Sequence, residues 1–480
     1  MLGESRAGRY RWAGAGLAGL ALAVLSHCGS RSQLPQVETD EGHPGPSGGG
    51  ILPDGGGPPP PPPCVLQSAG PATEIMAFGD SHVMAPSMAL IDAGDSSTPA
   101  RVALQGFISG GSSSAHPDIK LQRLTIAPPW PTGVNVDQPP MAFGVEAHGW
   151  GELARAPGGT RELAMAWYSD PGMVGYTAFR VLDIDTWAAQ SPVEVAPNGR
   201  PALALAPGSG LGPGGVGYEG YGYAIAWREL LDADEYDTIT AVGVLDLDGK
   251  VLLGPLWQGV QAPYPGYLPV ITWSSRAYLI ATALPDCGPD EDCPPTLTVE
   301  RLRPASSAGE PASLELTWSR SNDMIPHRPA LATYGDRTWI TWTESEIDSP
   351  GHHDLNVQEL DAMGAPVGEA VLVDYLIVPQ SRPKIAASDL GLTIAYATGG
   401  AGTEPDEPGY HRIAVHQLDH DGTAMTSQPV RIDTTLFNDY GPPQAVALDH
   451  PRGLLLTWAA RSLHSGHEVA YLGFLECAEP

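Results

Sequence analysis

Carboxylates and histidines gather in short stretches of this 480-residue chain, and each gathering suits a particular chemistry. Asp232, Asp234, Glu235 and Asp237 form the densest set of oxygen ligands. Asp286, Asp290, Glu291 and Asp292 surround the cysteines Cys287 and Cys293. Histidine joins the acids in Glu346, Asp348, His352, His353 and Asp354, and again in Glu404, Asp406, Glu407 and His411. His116 with Asp118, and His464 and His467 with Glu468, complete the series. Oxygen-rich clusters suit Ca2+, whereas imidazole with carboxylate suits Zn2+ and related metals. Asp232, Asp234, Glu235 and Asp237 are therefore the candidate cation site, with Ca2+ as the expected ion. The competing reading is solvated surface loops on an acidic protein, since none of these stretches has EF-hand spacing or a tight two-histidine metal motif. Asp246 with Asp248 and Asp419 with Asp421 stand in D-x-D-G sequences, which without further ligands are turns.

A second constellation is cationic. Arg200, Arg328 and Arg382 each stand at the head of a similar apolar run, and two of these runs are followed by Glu229 and Glu344. Arginines converging from three equivalent places could bind a carboxylate or phosphate through paired N–H bonds. A repeated Arg–Glu salt bridge is the plainer structural alternative. The chain has no evident Ser/His/Asp arrangement, phosphate-cradling glycine loop or CxxC metal motif. Acid–base catalysis needs two carboxylates at a set separation, and so many surface acids single out no pair.

The elements that must position these residues repeat. Pro86, Pro140, Pro201, Pro269, Pro329, Pro383 and Pro443 each lead into a short apolar run such as P-A-L-A-L or P-K-I-A-A. An apolar run carrying an aromatic follows in most repeats, placing Trp167, Trp227, Trp342, Tyr396 and Trp458 in register. In the repeat at Pro201 the strands read 201–205, 223–227, 239–245 and 251–256, with Asp and Gly supplying the turn before the last. The repeat at Pro443 offers three strands and stops, while 65–76 precedes the first repeat and is free to complete it. Repeats of this length, built of short strands, predict an all-β, seven-bladed β-propeller of four-stranded antiparallel blades, closed by an N-terminal strand in the last blade. The recurring aromatics then read as packing between blades.

Domain limits follow from composition. Arg6, Arg9 and Arg11 precede an apolar stretch over 12–25, the pattern of a signal peptide, expected to span 1–27. Cys28 follows Leu25-Ser26-His27, similar to a lipobox, although His27 stands where Gly or Ala is usual. Cleavage after Ala21-Leu22-Ala23 is the alternative. Residues 28–63 end in six prolines and read as a disordered Gly/Pro-rich tether; 64–480 are the propeller. The formal charge is −30, which argues against nucleic acid and against docking on anionic lipid. In an exported protein Cys64, Cys287, Cys293 and Cys477 form two disulfides. Closure of the ring brings residue 64 beside residue 477, which selects Cys64–Cys477 and Cys287–Cys293 from the three possible pairings.

With its anchor-like Cys28, its tether and its seven repeats, the chain resembles the β-propeller lipoproteins of bacterial envelopes. The S-x-D-x-G-x-T-W box of sialidase-type propellers and the G-H…W-D signature of WD40 repeats are not found. The resemblance implies an exported, monomeric module that binds an envelope protein or a glycan, touches membrane only through its lipid, and sits at the outer membrane, or else is periplasmic or secreted. The alternative is a glycan-acting propeller enzyme of sialidase or glycosidase type. A propeller is a platform for many functions, so architecture alone does not choose.

Overall fold

A computed structural model describes residues 64–75, 82–95, 97–109, 118–137, 141–142, 147–155, 162–169, 176–197, 199–207, 221–230, 237–246, 250–263, 269–284, 296–303, 312–321, 324–346, 349–376, 383–398, 412–433, 443–461 and 468–478. Seven antiparallel sheets follow one another along the chain, and each runs from an innermost first strand to an outermost fourth. The protein is a seven-bladed β-propeller. Its innermost strands are His82–Asp92, Ala147–Arg155, Gly199–Pro207, Val270–Trp273, Met324–Tyr334, Lys384–Ser388 and Gln444–Asp449.

The last blade closes the ring as expected. Its own three strands end with Glu468–Ala478, and both Val65–Ser68 and Thr73–Ile75 pair along that strand's outer edge. A Cys64–Cys477 disulfide ties the two ends of the described chain, with Cα atoms 5.3 Å apart. Gln417 of the sixth blade reinforces the joint. Its amide donates to the carbonyls of Cys64 and Leu390 and accepts from the Leu66 N–H. Cys28, Cys287 and Cys293 lie outside the described residues.

What holds the ring together is apolar contact between neighbouring blades. Among the described residues there are seven buried clusters, one at each seam; the one joining last to first packs Leu455, Leu472 and Phe474 on Val102, Leu104 and Leu124. Trp167, Trp227, Trp342, Tyr396 and Trp458 are all buried within these seams. Each second strand lies two strands deep in its blade, so its large side chains meet no water. In the third and seventh blades the indole lies over a glycine of the adjoining strand: a Cβ on Gly243 or Gly473 would stand 3.2 or 3.0 Å from the Trp227 or Trp458 ring.

The prolines divide into two kinds. Pro269, Pro383 and Pro443 immediately precede their strands, as read from the sequence. Pro86, Pro201 and Pro329 instead fall inside longer strands, each where the register slips. A bulge leaves a residue out of the ladder, and proline, lacking an N–H, is tolerated there. Pro140 corrects the repeat count's spacing rather than its number. The strand after it, Met141–Ala142, pairs with the first blade, and the second blade's innermost strand begins at Ala147. That strand carries no proline.

Candidate functional site

Register brings one residue of each innermost strand to a common level around the central axis. The position before the recurring aromatic of the second strand marks it in five blades, and that before Gly106 and Thr282 in the first and fourth. Gln105, Ala166, Ala395 and Thr457 there pair with Ser87, Glu152, Lys384 and Gln444 of the first, second, sixth and seventh blades. The same position in the third, fourth and fifth blades is held by Ala204, Val270 and Ala330. Four consecutive blades thus carry polar residues at this register, and the remaining three carry aliphatic ones.

The polar half is in contact across the axis. Glu152 Oε1 and Lys384 Nζ are 3.8 Å apart, although their blades are as distant as two blades of a seven-membered ring can be. The Ser87 hydroxyl donates to Glu152 Oε2 at 3.5 Å and accepts from the Leu153 N–H at 3.1 Å. Beside them lies Gln105, buried, whose amide nitrogen fills the space that a side chain on Gly151 would take. Its Oε1 has no hydrogen-bond partner among the described residues.

A second cluster surrounds Glu344 at the seam between the fourth and fifth blades. Arg320, on the outermost strand of the fourth blade, donates to Glu344 Oε1 at 3.2 Å and lies over the Trp342 ring, whose own N–H donates to Glu344 Oε2 at 3.1 Å. Close by, His327 Nε2 and Ser345 Oγ are 2.9 Å apart, and the His327 and His353 rings are 5.0 Å apart between centroids. Burial, followed by the charges of His353 and Arg328, pushes the His327 imidazole down to about 4. Histidine so placed stays neutral at neutral pH. Arg328 itself occupies the left-handed region, with φ of 46°, in the bulge before Pro329. Non-glycine residues adopt that conformation at a cost, so the surrounding strands must impose it.

The third cluster seals the seam between the fifth and sixth blades. The Tyr396 hydroxyl donates to Asp374 Oδ2 at 2.5 Å, and His416 Nε2 meets the same oxygen at 3.1 Å. Burial opposes the Asp374 charge, yet the hydrogen bonds of His416 and Tyr396 hold its carboxyl below the usual range. On the other side of this seam Arg337 grips Glu359 with two bonds of 2.7 Å and donates to the His420 carbonyl. The His420 ring stacks between Tyr334 and Trp339.

Against these clusters the residues singled out from sequence separate. Glu344 is bound by Arg320 of the preceding blade, a partnership across a seam. Glu229 accepts from the Trp257 indole N–H at 3.0 Å within its own blade. Arg200 lies on the third innermost strand, but its side chain, like that of Asp237, is outside the described residues, as are Arg382, Asp232, Asp234 and Glu235. The stretch around His353 is strand rather than loop: 349–360 pairs with 337–346, leaving only 347–348 between them. His353 and Asp354 are therefore part of the blade. The D-x-D-G sequence at Asp419 is a turn, as expected, while 247–249 of the other lie outside the described residues. Asp419 Oδ1 accepts from the backbone N–H groups of Asp421 and Thr423, and Asp246 Oδ1 accepts from that of Lys250. Among the described residues no group of three His, Cys, Asp or Glu side chains is set to hold a metal ion.

Ser87, Glu152 and Lys384 were not singled out from sequence. A signal existed in Pro86-Ser87, Pro383-Lys384 and Pro443-Gln444, where a polar residue follows the proline. The second repeat lacks that proline at its innermost strand, so Glu152 had nothing to align it.

No protein-family model matches the chain, and no curated protein matches its sequence. Among solved structures it is similar to the α-L-arabinanase of Penicillium chrysogenum, at 10% identity and a TM-score of 0.45 over 86% of this chain and 98% of that one. The hemagglutinin-neuraminidase ectodomain of parainfluenza virus 5 matches at 8% identity and a TM-score of 0.43, covering 86% of each chain. The β-propeller domain of the Trilobed protease from Pyrococcus furiosus matches at 8% and 0.41, over 82% of this chain and 94% of that one. Likenesses at this level say nothing of what this chain binds or catalyses.

Proposed function

We propose that this protein is an exported, lipid-anchored propeller that binds a small ligand on its axis, at the level of Glu152 and Lys384, as a recognition module of the cell envelope. One observation carries the reading. Opposite charges from distant blades meet in the channel at a separation too long for a firm hydrogen-bonded pair. At the seams Glu344, Glu359 and Asp374 are instead tied by bonds of 3.2 Å or less. Groups held by the fold but not consumed by it are what a binding site requires. A thermal-shift screen of polar metabolites tests this: a binder should raise the melting temperature of the wild type and leave Glu152→Gln unmoved.

Export and anchoring are supported by the apolar run ahead of Cys28 and by a disulfide, a bond that persists in oxidising compartments. Fatty-acid labelling that disappears in Cys28→Ser is the expected result. Labelling unchanged in that variant, or a mature N-terminus at Val24, would favour simple secretion. A divalent cation on Asp232, Asp234, Glu235 and Asp237 belongs to the same proposal. Ca2+ at millimolar concentration should raise the melting temperature beyond the effect of Mg2+ or monovalent salt, and neutralising the four acids should remove the difference.

A second reading, a glycan-acting enzyme, has the axial carboxylate in its favour. Glu152 stands beside a hydroxyl and an ammonium, as an acid–base group facing a substrate would. Hydrolysis needs a second carboxylate at catalytic distance. Turnover of arabinan or sialosides, lost in Glu152→Gln, would establish this reading.

A further inference from the structure

The axial site discriminates among ligands by charge, and resting on the reading above we infer that its ligand is a small zwitterion: an α-amino acid. Glu152 and Lys384 are each about three-quarters buried, with side chains 23% and 26% exposed. Yet neither is well served. The two contacts given for the carboxylate, Lys384 at 3.8 Å and Ser87 at 3.5 Å, lie at or beyond the limit of a hydrogen bond. The ammonium has three donors and, among the described residues, that one distant partner. Gln105, 1% exposed, adds a carbonyl oxygen with no partner beside the same wall.

Consider what each class of ligand would do. An anion drawn to Lys384 would take it from Glu152 and strand a partly buried carboxylate; a cation drawn to Glu152 would strand the lysine. A singly charged ligand thus gains one charge-assisted contact and leaves the other group as poorly served as before, where a zwitterion gains two. A neutral polyol could bond to both groups but would offset neither charge. A molecule carrying an ammonium and a carboxylate on adjacent atoms replaces both halves of the pair and leaves no net charge on the axis. Its ammonium faces Glu152 and Ser87, and its carboxylate faces Lys384.

Calorimetric titration of the full-length protein with leucine, N-acetylleucine and leucinamide tests the inference. The two derivatives keep the side chain and each remove one charge. Leucine should bind at least about tenfold more tightly than either, a difference of roughly 1.4 kcal/mol. Glu152→Gln should abolish the preference over N-acetylleucine, and Lys384→Met the preference over leucinamide. Equal binding of all three compounds would overturn the inference, as would a preference unchanged in both variants. If either variant fails to fold, the derivative series on the wild type decides alone. A neutral oligosaccharide that binds and is lost in Glu152→Gln would keep the axial site and remove the zwitterion. If amino acids, their derivatives, oligosaccharides and the metabolite screen all leave the wild type unbound and its melting temperature unmoved, the axial reading and this inference fall together.

Discussion

The seam between the fifth and sixth blades and the wall of the central channel are built from similar residues, and they use them in opposite ways. At the seam Asp374 receives Tyr396 at 2.5 Å and His416 at 3.1 Å, and Arg337 holds Glu359 through two 2.7 Å bonds. On the axis Glu152 and Lys384 approach only to 3.8 Å, and behind them, on the first blade's second strand, Gln105 Oε1 goes without a partner among the described residues. A buried polar group that is fully bonded rigidifies the structure around it, whereas one left short of partners is a cost the fold carries. The difference separates groups that maintain the ring from groups that the ring holds ready.

Breaking the seams should therefore cost stability first. Replacing Cys64 and Cys477 together by serine frees the strand that completes the last blade, across a sequence separation of 413 residues. A loss of about 3–5 kcal/mol in unfolding free energy is expected by urea denaturation, while ligand binding at the axis persists in the folded fraction. Asp374→Ala leaves Tyr396 and His416 without their shared acceptor and should cost about 2–3 kcal/mol, again without effect on axial binding.

The pH dependence sharpens the same contrast. The His327 imidazole sits at about 4 in the folded protein because it is buried, below its ordinary 6.5. Between those values the unfolded chain takes up a proton that the native protein refuses. Stability attributable to this group is therefore complete above pH 6.5 and declines as pH falls toward 4, by at most about 3 kcal/mol. His327→Gln should flatten the slope of unfolding free energy between pH 6.5 and 4. A slope equal to that of the wild type would show that other groups govern it.

Much of this architecture was legible before any coordinates. The seven prolines, the second-strand aromatics and the outlying cysteines Cys64 and Cys477 recur or pair by rules that one sequence displays, so blade number, ring closure and one disulfide could be read from it. The aromatics announced the seams because burial between blades demands bulk at a fixed register. What escaped reading depends on three-dimensional proximity. Arg320 reaches Glu344 across a seam, and nothing in local spacing connects them. Glu152 meets Lys384 across the whole ring. The second blade's lack of a proline at its innermost strand hid the register that would have aligned Glu152 with Lys384. Crowded histidines and acids read as a loop at His353 and Asp354, whereas the strand continues through them.

The smallest expected effect belongs to the axis. Glu152→Gln and Lys384→Met should each alter unfolding free energy by less than about 1 kcal/mol, because the pair is long and partly solvated. The most direct test of the account is the double-mutant cycle on these two residues, read by urea denaturation in the absence of ligand. A coupling energy below about 0.5 kcal/mol is predicted, the value for charges that the fold holds in place without depending on them. A coupling of about 2 kcal/mol or more would make Glu152–Lys384 a structural staple like those of the seams, and would contradict the assignment of the axis to binding.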